Sequence, residues 1–114
     1  MNIQNNSNRN GMDTLINKHD TLESLIYDED IRIQAIDVHA DMDMMLIILN
    51  TGSVLQEKLS KYPRLQNATT SELLQYKLTG KGTGIHWPEL DEDLSLKGFL
   101  RDTIKSQITG HKVA

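Results

Sequence analysis

The chain has 114 residues, of which 38% are hydrophobic, 25% charged and 4% aromatic, and it contains no cysteine. That length suits one domain with a packed core, and the lack of thiols excludes disulfides, thiolate metal sites and cysteine nucleophiles. A formal net charge of -4 has the wrong sign for a protein that grips nucleic acid by neutralising phosphates over a broad surface.

The first eleven residues carry five asparagines and only Met1 and Ile3 as apolar groups, too little to offset ordering entropy, so a disordered tail is expected over 1–12. A helical arm follows over 13–30. Asp13 is a suitable N-cap, and Leu15, His19, Leu22 and Ile26 fall on one helical face that Ile16 and Leu25 widen. Asp28, Glu29 and Asp30 oppose the negative end of a helix, which places the boundary near Tyr27. Such a short helix must dock, either on its own domain or on a partner or second copy.

Residues 31–106 read as a single α+β domain. Ile31, Ile33 and Ala35, then Ile36, Val38 and Ala40, form two period-2 series out of phase by one residue, which a bulged strand reconciles. Asp41 to Asp43 is a turn, Met44 to Leu49 a second strand, Asn50 to Ser53 a hairpin turn with Gly52, and Ser53 to Gln56 a short third strand. Together they predict a three-stranded antiparallel meander.

Helical signals follow. Pro63 suits a helix start, with a turn of helix over Arg64 to Asn67. Thr69 and Glu72 have the spacing of a capping box for a second helix over Ser71 to Leu78, with Leu73, Leu74 and Tyr76 available for burial. Gly80 to Gly84 lacks the Lys-Ser/Thr of a phosphate loop and reads as a flexible loop. Ile85 to Trp87 is a short additional strand ended by Pro88. Ser95 caps a last helix with Leu96, Phe99, Leu100 and Ile104 inward and Lys97, Arg101 and Lys105 outward, and a C-terminal tail occupies 107–114.

No apolar run approaches the ~20 residues of a membrane span, and the N-terminus lacks a secretory layout, so a cytoplasmic protein without membrane contact is expected. Four carboxylates, Glu89, Asp91, Glu92 and Asp93, stand beside His86 and Trp87. One reading is a divalent-cation or acid–base site with His86 as general base. The EF-hand arrangement is absent, and no activated nucleophile or oxyanion donor set accompanies these residues, so neither a catalytic residue nor a metal or cofactor is expected. A structural reading has Asp91 and Asp93 holding their own loop or facing the Ser95 helix start, and Arg64 forking onto the acidic loop. The functional reading is an acidic docking surface for a basic partner, formed by Glu89, Asp91, Glu92 and Asp93 with the amphipathic rings of Trp87 and Tyr62. Trp87 suits a core anchor equally well, its indole N–H finding a carbonyl. Pro63, Arg64, His86, Pro88 and Ser95 are read as the structural motif. His19, His39 and His111 lack any zinc spacing.

The segment Gly84-Ile85-His86-Trp87-Pro88-Glu89-Leu90-Asp91-Glu92-Asp93-Leu94-Ser95, preceded by Tyr62-Pro63-Arg64-Leu65 and Ala68-Thr69, resembles the signature of the bacterial Domain of Unknown Function family 2442. The likeness covers about residues 31–102. The chain departs from the family pattern at Gly52-Ser53, where a Gly-Arg hairpin is usual, and at Phe99-Leu100-Arg101-Asp102, where relatives end Leu-Leu-x-Gly. The resemblance implies a small α+β domain, found alone or beside a helix-turn-helix domain. It also implies a neighbouring gene for another small protein, often of uncharacterised family 4160, in pairs that look like toxin–antitoxin modules with this family as the antitoxin.

The expected function is therefore a non-enzymatic protein-binding module, the antitoxin-like partner of a small toxin encoded beside it. A homodimer is also compatible, and direct nucleic-acid contact is not expected. Three alternatives stand beside it: a DNA-associated transcriptional regulator, a mobile-element inhibitor that occupies a host nuclease by charge mimicry, and a metal-dependent hydrolase.

Overall fold

The computed structural model describes residues 19–110; the tail expected over 1–12, the Asp13 cap, the first part of the arm and His111 lie outside them. Helix α1 (Thr21–Tyr27) starts under its own cap. The Asp20 carboxylate accepts from the Glu23 N–H at 2.8 Å, and the Glu23 carboxylate accepts from the Asp20 N–H at 3.0 Å. Because His19 and Asp20 are non-helical, the arm is not one uninterrupted helix up to Tyr27. Its end is where the acidic run places it, and Arg32 supplies the cation that the run cannot. The Arg32 guanidinium donates to the carbonyls of Ile26 and, at 2.9 Å, of Ile31. The helix docks on its own chain, burying Ile26. Lys97, expected outward, is a clamp on α1: its ammonium lies 2.8 Å from Asp20 and 3.1 Å from Glu23.

The meander is present as β1 (Ile33–His39), β2 (Met44–Leu49) and β3 (Val54–Lys58), antiparallel in that order. A bulge between Ile33 and Ala35 resolves the phase slip, so that Ile33, Ile36 and Val38 all face the core. Strand β2 buries Met45, Ile47 and Leu49 on one face. After the turn Ala40–Met42, Asp43 takes the left-handed conformation. Its carboxylate accepts from the Ser60 N–H at 2.7 Å and hydroxyl at 2.6 Å, tying this turn to the chain leaving β3.

The second half differs more from expectation. Helix α2 (Pro63–Gln66) begins at Pro63, and α3 (Thr70–Leu73) carries the Thr69/Glu72 capping box. However, α3 ends after one turn, and Leu78, expected within it, stands on a strand; Leu74 is exposed. The short additional strand is the centre of a second antiparallel sheet, β4 (Lys77–Thr79), β5 (Gly84–Trp87) and β6 (Glu92–Ser95). Three polar or charged residues, Glu92, Asp93 and Ser95, hide β6 from a hydrophobicity pattern, since only Leu94 signals it. Gly80 to Gly82 forms a tight turn between β4 and β5 rather than a flexible loop, with positive φ at all three residues. The last helix, α4 (Leu96–Thr109), is capped by Ser95, whose hydroxyl accepts from the Gly98 N–H at 3.0 Å. It buries Leu96, Phe99 and Leu100 but leaves Ile104, expected inward, half-exposed. Among the described residues no helix is long and apolar enough to cross a membrane.

The two sheets share one core, in which Met45, Ile47, Leu65, Leu73, Ile85, Trp87 and Leu96 are fully buried. The Trp87 indole N–H donates to the Leu73 carbonyl at 2.9 Å. Tyr76 reaches back to the first sheet, where its hydroxyl accepts from the Ile36 N–H at 3.3 Å. At Gly82 the β4–β5 turn lies directly on the entry to β1. A Cβ there would stand 2.7 Å from the Ile33 carbonyl oxygen and 3.1 Å from Arg32 Cβ, whereas one at Gly52, of similar positive φ, would meet open space. Gly52→Ala is therefore expected to lose only the conformational term, about 1 kcal/mol, and Gly82→Ala at least about 2 kcal/mol more. Chemical denaturation of both variants checks this. Equal losses would show that the turn does not bear on β1.

Candidate functional site

The structure brings the acidic residues to one tip, the tight turn between β5 and β6. Trp87 roots it: the side chain is fully buried, so it offers nothing to a partner and leaves the set of expected contact residues. The Leu90 N–H donates to the Trp87 carbonyl at 3.2 Å, closing the turn, and Asp91 sits at φ 52. Aspartate tolerates this left-handed conformation better than most residues. Arg64, from α2, holds it there, its Nη1 donating to the Asp91 carboxylate at 2.8 Å and the Asp91 carbonyl at 2.7 Å. The expected fork onto the acidic loop is thus made through one nitrogen, and in the open: the side chains are 57% and 88% exposed. An exposed pair of this kind contributes at most about 1 kcal/mol, so its role is to orient the turn.

Asp93 faces His86 directly across the β5–β6 pair, with Oδ1 2.7 Å from Nδ1. Glu92, half-buried, accepts from the Asp93 N–H at 3.0 Å. Glu89 is exposed beside Pro88. The helix cap before α4 is supplied by Ser95, so Asp91 and Asp93 serve the tip and not the helix start. Among the described residues no three His, Asp or Glu side chains stand where they could hold a metal ion.

Tyr62 belongs elsewhere, bonded to a residue of a cleft that the sequence reading missed. This cleft, about 850 Å³, lies between β3 and the C-terminal half of α4. At its base Glu57 is 4% exposed. The Tyr62 hydroxyl donates to Glu57 Oε1 at 2.7 Å, and Lys61 bridges the Glu57 carboxylate, at 3.6 Å, to Asp102 of α4. Burial pushes the Glu57 carboxyl above the usual carboxylate range, even though Tyr62 and Lys61 favour its charged form. Burial and the Glu57 acceptor likewise raise the Tyr62 phenol. Extending the third strand by two residues would have revealed Glu57 in phase with Leu55, a carboxylate on an inward-facing row.

A group protonated more readily in the folded than in the unfolded chain stabilises the fold less as the pH rises. The Glu57 contribution is therefore largest below the ordinary value of 4.5 and declines as the pH climbs through the raised folded value. Glu57→Gln keeps an acceptor for Tyr62 and removes the charge, so the stability difference between variant and wild type is expected to move in favour of the variant across that interval. Glu57→Ala strands the Tyr62 hydroxyl and is expected to cost about 2 kcal/mol. Denaturation series between pH 4 and 8 compare the three proteins, and a wild-type-minus-Gln difference independent of pH would contradict the assignment.

Two solved structures resemble the chain. A crystal structure of a protein of unknown function from Rhodospirillum rubrum is 25% identical and aligns with a TM-score of 0.55 over 63% of this chain and 87% of its own. A solution NMR structure of an uncharacterised protein from Chromobacterium violaceum is 19% identical and shares the fold with a TM-score of 0.60 over 94% and 96%. No curated protein matches the chain. The family model described as Protein of unknown function (DUF2442) matches residues 35–105, a span that takes in all but the first two residues of the meander, the Tyr62-Pro63-Arg64-Leu65 segment, the acidic tip and most of α4, and the chain belongs to that family.

Proposed function

We propose that the protein is a non-enzymatic, cytoplasmic protein-binding module, the antitoxin-like partner of a small basic protein, and that it docks through the acidic tip. The observation that carries this reading is the fixed presentation of the tip. Glu89, Asp91 and Asp93 are exposed on a turn rooted by the buried Trp87 and braced by Arg64. A rigid loop loses little conformational freedom when it binds, and its charge raises the encounter rate with a basic surface. One guanidinium stands against four carboxylates, so the tip stays acidic after its internal pairing. Trp87 takes no part in this contact, because its ring is buried in the core, and the half-buried Tyr62 gives its hydroxyl to Glu57 instead.

Charge-neutral substitutions test the reading without disturbing the backbone, since asparagine also accepts the left-handed conformation at Asp91. Tagged wild type and the triple variant Glu89→Gln, Asp91→Asn, Asp93→Asn are used to capture proteins at low and moderate salt from the cells that express the chain. A small basic protein retained in near-equal amount by wild type, weakened by salt and lost from a folded triple variant is the expected result. Retention of the same protein by both forms would remove the tip from the contact, and retention of nothing by wild type would remove the partner.

A further inference from the structure

Strand β3 borders the cleft described above with its edge and not with a face. Val54, Leu55, Gln56, Glu57 and Lys58 all line it. Consecutive side chains on a strand point to opposite faces, so five in a row can share one cleft only if it runs along the strand. The hydrogen-bond phase agrees. The Leu49 N–H donates to the Ser53 carbonyl at 2.9 Å, and the Leu59 N–H donates to the Asp43 carbonyl across the same pair of strands. In the β2–β3 register, antiparallel alternation then turns the backbone groups of Leu55 and Glu57 toward β2, and those of Val54, Gln56 and Lys58 toward the cleft. Among the described residues no strand lies on that side. The opposite edge of the sheet is not equivalent, because the outward N–H of Ile36 on β1 is taken by Tyr76.

We infer that this cleft receives an extended, acidic peptide segment of a partner, which adds to β3 as a fourth strand with α4 as the opposite wall. The dimensions fit. Five residues of strand span about 17 Å, and at about 4.8 Å between strands and about 10 Å between layers such a segment occupies roughly 800 Å³, against about 850 Å³ in the cleft. The charges select its sign. Glu57 and Asp102 are both engaged by Lys61, whereas Lys105, also in the lining, forms no ion pair among the described residues, and Lys58 beside it acts on Asp43 only beyond salt-bridge distance. The lysines thus remain for carboxylates on the incoming strand. A segment with apolar residues alternating with glutamate would set main-chain bonds on β3 and one row of side chains against α4, the division between affinity and selectivity seen in strand addition generally. This site is separate from the acidic tip and does not depend on it.

The probes are two capped heptapeptides, one alternating valine with glutamate and one alternating valine with lysine, titrated into the isotope-labelled full chain. Amide shifts of the acidic peptide's complex are expected to concentrate on 54–58 and 102–109. Gln56→Pro removes an N–H that β2 does not use, at an edge where proline is tolerated, and is expected to abolish the shifts. Lys58→Glu with Lys105→Glu leaves the backbone edge intact, so it reports even where the proline variant fails to fold, and is expected to weaken binding at least tenfold. The tip variant Glu89→Gln, Asp91→Asn, Asp93→Asn is expected to bind the peptide as wild type does. Equal affinity for the lysine peptide would overturn the acidic partner. Shifts confined to the β5–β6 turn, or no shifts at millimolar peptide, would overturn the site, and a concentration-dependent dimer that excludes the peptide would assign the edge to a second copy.

Discussion

Neither of the two three-stranded sheets among the described residues can close a core alone, and the burial of Trp87 is where they become one structure. A small sheet with one apolar face needs a second layer to be stable. Trp87 supplies the largest side chain of that layer, fully buried, and its indole N–H is satisfied by the Leu73 carbonyl at the end of α3. That bond explains why α3 stops after one turn: its last carbonyl is turned to the tryptophan, and the chain runs on through Tyr76 into β4. Tyr76 in turn satisfies the Ile36 N–H on the bulged strand of the other sheet. Bulge, short helix and tryptophan are therefore consequences of one packing requirement.

The first half was legible because its signals are local. The phase slip before Ile36 demanded a bulge, the apolar run from Met44 demanded a strand, and Asn50 to Ser53 demanded a turn, and each of these is met within a few residues of chain. The second half was less legible because its signals are tertiary. The capping box at Thr69 announces a helix start correctly but carries no information about length, which Trp87 decides from fourteen residues away. Strand β6 is nearly all polar and is held by its pairing with β5, where His86 faces Asp93. Periodicity cannot find a strand whose side chains are mostly outside the core.

The acidic run illustrates the same division. As sequence, the stretch from Glu89 to Asp93 reads as an undivided patch of negative charge. In the fold its members have separate tasks: Asp91 is held by Arg64, Asp93 meets His86, Glu92 returns to the backbone, and Glu89 stays exposed. The pairings are surface pairings, weak individually, yet each fixes one direction of the turn. They reconcile the structural and the docking readings of these residues, since a turn held in one shape is also a better contact surface than a mobile one.

Among the described residues Glu57 is the one charged side chain buried on an inward-facing row. Its row on β3 is shared with Leu55 and points inward, where an apolar residue would pack without desolvating a charge. Retaining a carboxylate there requires Tyr62 as donor and Lys61 as counter-charge, and Lys61 then ties the base of the strand to Asp102 on α4. The network therefore sets the separation between β3 and α4 along the open edge. A hydrophobic residue at position 57 would favour closer approach of helix and strand, which would fill the space now left beside the backbone of Val54, Gln56 and Lys58. Local inconsistency of this kind is tolerated where it maintains something that packing alone would remove, and here that is the cleft between β3 and α4.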